Sequence, residues 1–82
     1  MHETRRLWLT FTGDTIKQPI ICQLARQFPA LNFSIRNASV TPQVGIIALE
    51  LEAERDTIKE AIRWLESQSI QVEPVEINTI ES

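Results

Sequence analysis

Residues 44–67 decide the fold, and they read VGIIALELEAERDTIKEAIRWLES. In the first part of this stretch apolar and polar side chains alternate, which is the period of a strand with one buried face. In the second part the apolar residues recur at the spacing of an amphipathic helix. That helical stripe consists of Ile58, Ala61, Ile62 and Leu65. The stretch therefore predicts a strand that leads directly into a helix, capped either by Asp56 or by a capping box of Thr57 and Glu60.

The flanking sequence repeats the same two periods. The predicted elements are strands over 5–12, 31–40 and 44–52, a last strand from Ile70 to Ile77, and helices over 18–28 and 54–67. Pro19 fits the first turn of the first helix, where an amide hydrogen has no partner. Pro74 confines the last strand to an edge of the sheet. The inward-facing side chains are predicted to be Leu7, Leu9 and Phe11, then Leu31, Phe33 and Ile35, then Ile47, Leu49 and Leu51.

This βαββαβ order with short connections predicts a ferredoxin-like α+β domain. Its four-stranded antiparallel sheet carries both helices on one face. We expect a single domain over residues 1–82, with a core over about 5–77 and a frayed tail over 78–82.

Composition excludes several classes of function. The chain of 82 residues has 11 acidic and 8 basic side chains, so it lacks the clustered cations of a nucleic-acid-binding surface. Its one cysteine excludes an internal disulfide and favours a reducing, cytoplasmic setting. Its uncharged runs are too short for a transmembrane helix. We expect a cytoplasmic protein without membrane insertion.

The residue types that perform catalysis are scarce. His2 is the one histidine and lies in a segment expected to fray, and Cys22 stands off the apolar stripe of its helix without a base beside it. Glu50, Glu52 and Glu54 alternate along a strand and resemble a paired-carboxylate site, although a solvated strand face explains them equally well. We predict no enzyme, no catalytic residue, no metal site and no cofactor.

Three apolar side chains, Trp8, Ile46 and Ala48, are predicted on the sheet face opposite the helices. Such a face is usually polar when it is exposed to water. Trp8 as a lone surface aromatic is the alternative interpretation. Because the three residues converge on neighbouring strands, we predict that a second copy of the chain covers them in a homodimer.

Residues 19–28, 31–36 and 45–49, with the Ala61–Leu65 segment of the second helix, resemble the NIL domain. This small ferredoxin-like domain occurs at the C-terminus of the ATPase subunit of methionine-import ABC transporters and also as a stand-alone chain. The family is named for an Asn-Ile-Leu triplet, where this chain has Asn32-Phe33-Ser34. The resemblance implies methionine binding near a dimer interface, and therefore amino-acid sensing or subunit pairing.

Asn32 is the candidate ligand-binding residue, since its carboxamide both donates and accepts hydrogen bonds. A role as a turn residue is the alternative for Asn32, and Phe33 is predicted to be core. We predict a non-enzymatic, homodimeric regulatory domain that binds a small amino acid such as methionine. The alternative is a docking module, without a small-molecule ligand, for a separately encoded partner such as an ABC transporter subunit.

Overall fold

The computed structural model describes residues 2–75 and has the predicted βαββαβ order. Its elements are β1 (His2–Thr12), a 3-10 helix (Gly13–Lys17), α1 (Ile20–Gln27), β2 (Asn32–Val40), β3 (Val44–Glu54), α2 (Arg55–Ser67) and β4 (Gln71–Pro74). All four strands pair antiparallel in the order β2-β3-β1-β4. The ferredoxin-like prediction is confirmed, with β1 and β3 at the centre of the sheet.

The core lies between the sheet and the two helices. Its buried members come from β1, α1, β3 and α2, with one residue before β2 and one before β4. They are Leu7, Leu9, Phe11, Ile20, Leu24, Leu31, Leu49, Leu51, Ala53, Ile58, Ala61, Leu65 and Ile70. Phe28 and Trp64 join the two helices through an edge-to-face ring contact with centroids 6.3 Å apart. Among the described residues every buried side chain is apolar, so burial of hydrocarbon stabilises the fold.

The first helix is shorter than the predicted 18–28. Pro19 stands at its N-cap with φ −79° and ψ 63°, outside the helix rather than in its first turn. The chain before it forms the 3-10 helix, which holds Ile16 against the core from outside α1. Gly13 opens that segment with a φ of +61°, a backbone conformation that favours glycine. The four-residue spacing of apolar side chains therefore continues from the 3-10 helix into α1. For this reason the spacing did not reveal where one helix ends and the other begins.

The second helix begins where β3 ends, and neither predicted cap forms. β3 continues to Glu54, which is the N-cap residue, and no side chain bonds the helix amides there. Thr57 consequently lies inside the helix rather than at its boundary. At the other end, Ser69 adopts a φ of 66° directly after the helix. The left-handed conformation is typical of the position that follows a helix, where glycine is preferred.

The outer strands differ from each other in length and regularity. β4 ends at Pro74 and, among the described strands, pairs with β1 alone, so it is the edge strand that the proline predicted. Ile77 and the tail over 78–82 lie outside the described residues.

β1 starts at His2, which pairs with Glu54, so the expected fraying there was wrong. β2 contains a bulge between Ile35 and Asn37, where its register against β3 shifts.

Candidate functional site

The sheet face that points away from the helices, which we call the open face, is ordered in cross-strand rows. One row runs Asn32–Glu52–Thr4, the next Ser34–Glu50–Arg6, the third Asn37–Ala48–Trp8–Glu73, and the fourth Ser39–Ile46–Thr10–Gln71. The first two rows are polar and charged. The third and fourth have apolar residues at their centre, on β1 and β3. The open face is therefore divided along the strands into a charged half and a half with an apolar centre.

Trp8, Ile46 and Ala48 form this apolar centre. Trp8 lies directly opposite Ala48, and Ile46 is one row further along β3. Trp8 is 37% exposed and Ile46 is 39% exposed, while Ala48 is half-buried. An indole that retains a third of its surface in water, beside an exposed isoleucine, is a patch that a partner can cover.

Arg6 and Glu50 form the charged row beside the apolar centre. Arg6 Nε donates a hydrogen bond of 3.0 Å to Glu50 Oε2, and both side chains remain partly exposed. The predicted carboxylate series is therefore dispersed, since Glu50 pairs with Arg6 and Glu54 lies 3.7 Å from His2 Nδ1. Over residues 2–75 no group of three His, Cys, Asp or Glu side chains could hold a metal ion.

Asn32 lies on the open face at the start of β2, opposite Glu52. Its carboxamide is exposed, whereas Phe33 points to the helix side and is half-buried against the core. Its partner Glu52 is four positions along β3 from Ala48, which is about 14 Å at the rise of a strand. Asn32 therefore shares a face with the apolar centre but does not touch it, and the Arg6–Glu50 pair lies between them.

A cleft of about 170 Å³ opens on the opposite side of the sheet, at the start of α1. Its lining is mostly apolar and comes from β1, the segment before α1, the first turn of α1 and the β2–β3 hairpin. The lining residues are Phe11, Ile16, Gln18, Pro19, Ile20, Ile21, Cys22, Val40, Gly45 and Ile47. A Cβ on Gly45 would lie 3.6 Å from Phe11 Cβ and 3.7 Å from a Val40 methyl, so the glycine leaves room without being sterically required.

The sequence did not reveal this cleft. The sequence predicted that Pro19 lies in the first turn of one continuous helix, which would fill this space. In the structure a 3-10 helix and an N-cap at Pro19 stand there instead and leave the cleft open. Gly45, near the start of a strong strand pattern, was the available signal, because a strand glycine often marks a site that a ligand or another backbone approaches closely. Cys22 is exposed, as its position off the helical stripe suggested, and it also lines the cleft, which the sequence did not predict.

Known structures place the chain in the ferredoxin-like class. A de novo designed protein with a ferredoxin fold superposes with a TM-score of 0.60 at 14% identity, covering 96% of this chain and 91% of that one. The C-terminal domain of an ABC transporter ATP-binding protein from Enterococcus faecalis superposes with a TM-score of 0.76 at 23% identity, covering 87% and 82%. Both likenesses concern the fold.

The sequence places the chain more narrowly. The model of the NIL domain family matches residues 5–74, and the chain belongs to that family. It is 30% identical over 69 residues to the methionine import ATP-binding protein MetN of Latilactobacillus sakei, and 37% identical over 67 residues to MetN of Francisella tularensis. These matches cover 79% and 78% of this chain but only 20% and 19% of the relatives, so the chain spans about a fifth of their length. The resemblance to the NIL domain is confirmed. In the described part of the chain neither helix is long and apolar enough to span a membrane.

Proposed function

We propose that this NIL domain is a non-enzymatic, cytoplasmic regulatory module that associates with a second copy through its open face. The apolar centre of Trp8, Ile46 and Ala48 carries the proposal. Leu7, Leu9 and Leu49, the alternate residues on the same strands, are fully buried by the helices, so the fold itself does not use the open face. An exposed apolar centre within a polar rim is the composition of an association surface.

The charged row beside the apolar centre offers a place for an amino acid. Adjacent rows on one face are about 7 Å apart, so a small amino acid can place its head group over one row and its side chain towards the next. A carboxylate ligand group would pair with Arg6 and an ammonium group with Glu50 or Glu52. The side chain would then lie over Trp8 and Ala48. Asn32 would supply a further donor and acceptor at the head group.

Methionine is the first ligand to test, because the relatives are named for methionine import. Within one chain a ligand cannot contact both Asn32 and the α1 cleft. Glu52, the partner of Asn32, and Gly45, which lines the cleft, are seven positions apart on β3, about 24 Å along the strand. We therefore place the ligand on the open face. Covering by the second copy would exclude water from the charged row and strengthen its contacts.

Calorimetry at about millimolar protein, with methionine and a panel of other amino acids, tests the ligand. We expect heat with methionine and weaker binding in Asn32→Ala and Arg6→Gln. Gln71→Ala is the matched control, because Gln71 is a polar residue of the open face on the far strand, away from the charged row. Absence of heat with every amino acid would overturn the ligand proposal and leave self-association to be judged separately.

A docking role towards a separately encoded protein, such as an ABC transporter subunit, is the second candidate. It is favoured by the relatives being ATP-binding proteins of an importer, of which this chain matches only a fifth. Capture of a partner from native cytosol, with and without methionine, distinguishes the docking role from the amino-acid-binding role. A partner retained equally in both conditions, by a protein that gives no heat with any amino acid, supports docking alone.

A further inference from the structure

Among the described residues β2 forms one edge of the sheet, and its free side has few of the features that usually protect an edge. It has nine residues, Asn32–Val40, whereas the opposite edge strand β4 has four and ends in a proline. Arg36 is its one charged residue, and it contains neither lysine nor proline. Natural sheets protect exposed edges with charges, prolines, short strands or bulges, because unpaired backbone groups bind other strands. β2 has one charge and one bulge, which leave most of its nine residues unprotected. The β2 edge is open to pairing.

Apolar side chains on the helix side of β2 are also uncovered. Ile35 is 52% exposed and Val40 is 63% exposed, although Leu49, which pairs with Ile35, is fully buried. The sequence predicted Ile35 on the inward-facing side with Leu31 and Phe33, and it does lie on the helix side. The helical layer covers β3 and the start of β2, where Phe33 is half-buried, but it leaves Ile35 and Val40 in water beside the unpaired edge. One partner strand would satisfy both the backbone groups and the apolar row.

The bulge makes β2 complementary to itself. In a regular strand, residues 35 and 38 would face opposite sides, but here Ile35 pairs with Leu49 and Ala38 with Ile47, both on the helix side. An antiparallel pair about a two-fold axis between Arg36 and Asn37 therefore matches faces. It sets Ile35 opposite Ala38, Phe33 opposite Val40 and Ser34 opposite Ser39. Each Arg36 meets Asn37 of the second copy, so no two like charges are directly opposed.

We propose that β2 pairs antiparallel with β2 of a second copy of this chain, extending the four-stranded sheet of each into one continuous sheet. This axis is perpendicular to the sheet and keeps the helices of both copies on one side. The contact is distinct from the proposed contact of the open face, whose axis lies parallel to the sheet. With both contacts made, two extended sheets pack face to face in a tetramer.

Disulfide trapping tests the register. Ile35→Cys and Ala38→Cys are each made in a Cys22→Ala background; both positions are exposed, so the variants should fold. Directly opposed residues lie about 4.5–5.5 Å apart at Cα, within the span of a disulfide. Mild oxidation of an equal mixture should yield the mixed Ile35→Cys/Ala38→Cys dimer. Either variant alone should crosslink poorly, because identical positions are three residues out of register. Ser39→Cys mixed with Ile35→Cys is the matched control, since Ser39 faces the open side.

Sedimentation of Ile35→Lys tests the contact without a crosslink. A lysine there should halve the mass of the assembly by placing a charge at the apolar pair. The mixed disulfide should persist in Trp8→Glu, which separates failure of this contact from failure of the open-face contact. No mixed disulfide, equal yields from Ile35→Cys alone, or an unchanged mass in Ile35→Lys would overturn the proposal.

Discussion

Replacement of Trp8 by glutamate tests whether the open face holds two copies together. Trp8 is 37% exposed, so of the roughly 250 Å² that a tryptophan can bury, about 90 Å² remains for a partner to cover. Two copies at about 25 cal/mol per Å² contribute roughly 4.5 kcal/mol. Ile46 is 39% exposed and adds about 1 kcal/mol from each copy. The gross gain is comparable with the low end of the association cost of about 4–15 kcal/mol, so the contact is expected to be marginal and to depend on Trp8.

Trp8→Glu should therefore halve the mass of the assembly and weaken the open-face contact by about a thousandfold, from the apolar loss alone. Sedimentation equilibrium over micromolar to millimolar protein measures the change. Trp8→Phe is the matched control: it keeps a ring over Ala48 and should weaken association by only about tenfold, since a smaller ring loses part of the area.

Both the mutant and its control leave the core intact, because Leu7 and Leu9 lie on the other side of the strand. Thermal unfolding and far-UV circular dichroism would confirm this. A Trp64→Phe background isolates the emission of Trp8. The reasoning would be refuted by an unmutated protein that is monomeric at micromolar concentration with red-shifted Trp8 emission, or by an assembly whose mass Trp8→Glu leaves unchanged.

Three further predictions concern stability and the α1 cleft. Ser69→Gly should raise the free energy of unfolding by about 0.5–1 kcal/mol because Ser69 has a φ of 66°, whereas Ser67→Gly, at the last residue of α2, should lower it by about 0.5 kcal/mol; urea denaturation measures both. Gly45→Ala should stabilise the fold by about 0.5–1 kcal/mol and, if the ligand lies on the open face, leave methionine binding unchanged. Loss of calorimetric heat with methionine in this variant would indicate that the ligand binds in the cleft. In the dissociated chain, Leu49→Ala should lower the free energy of unfolding by about 2–5 kcal/mol and Ile46→Ala by less than about 1.5 kcal/mol. Equal losses of unfolding free energy would contradict the assignment of the two sheet faces.

The alternation of apolar residues predicted the strands and their faces because burial enforces it. β1 and β3 are covered by helices on one side, and their inward residues are those the period-two pattern selected. The same pattern placed Ile35 on the correct face, but Ile35 is 52% exposed because the described helices do not reach it. The alternation along a strand predicts which residues share a face. It does not predict how far the helical layer extends over that face, because this depends on the length and position of the helices and not on the sequence of β2.

Local breaks were harder to predict than faces. The 3-10 helix at Gly13–Lys17 keeps an apolar residue, Ile16, at a spacing compatible with α1, so the hydrophobic period passes through the break unchanged. The bulge at Arg36 left no glycine to mark it. Both features depend on how the segment meets the sheet, and both shape the candidate surfaces: the first opens the α1 cleft, and the second makes β2 self-complementary.

A marginal open-face contact would allow the proposed ligand to control association of the two copies. The charged row of Arg6 and Glu50 adjoins the apolar centre, so a ligand lying across both would be enclosed only when a second copy covers the face. A ligand that binds only the associated state stabilises it by about 2.7 kcal/mol at a concentration of 100 times its Kd, which is about a hundredfold in the association constant. Methionine at that concentration should therefore shift the sedimentation midpoint about a hundredfold lower in protein for each ligand enclosed, and Asn32→Ala should reduce the shift. A midpoint independent of methionine, in a protein that binds it by calorimetry, would show that the ligand lies away from the association surface.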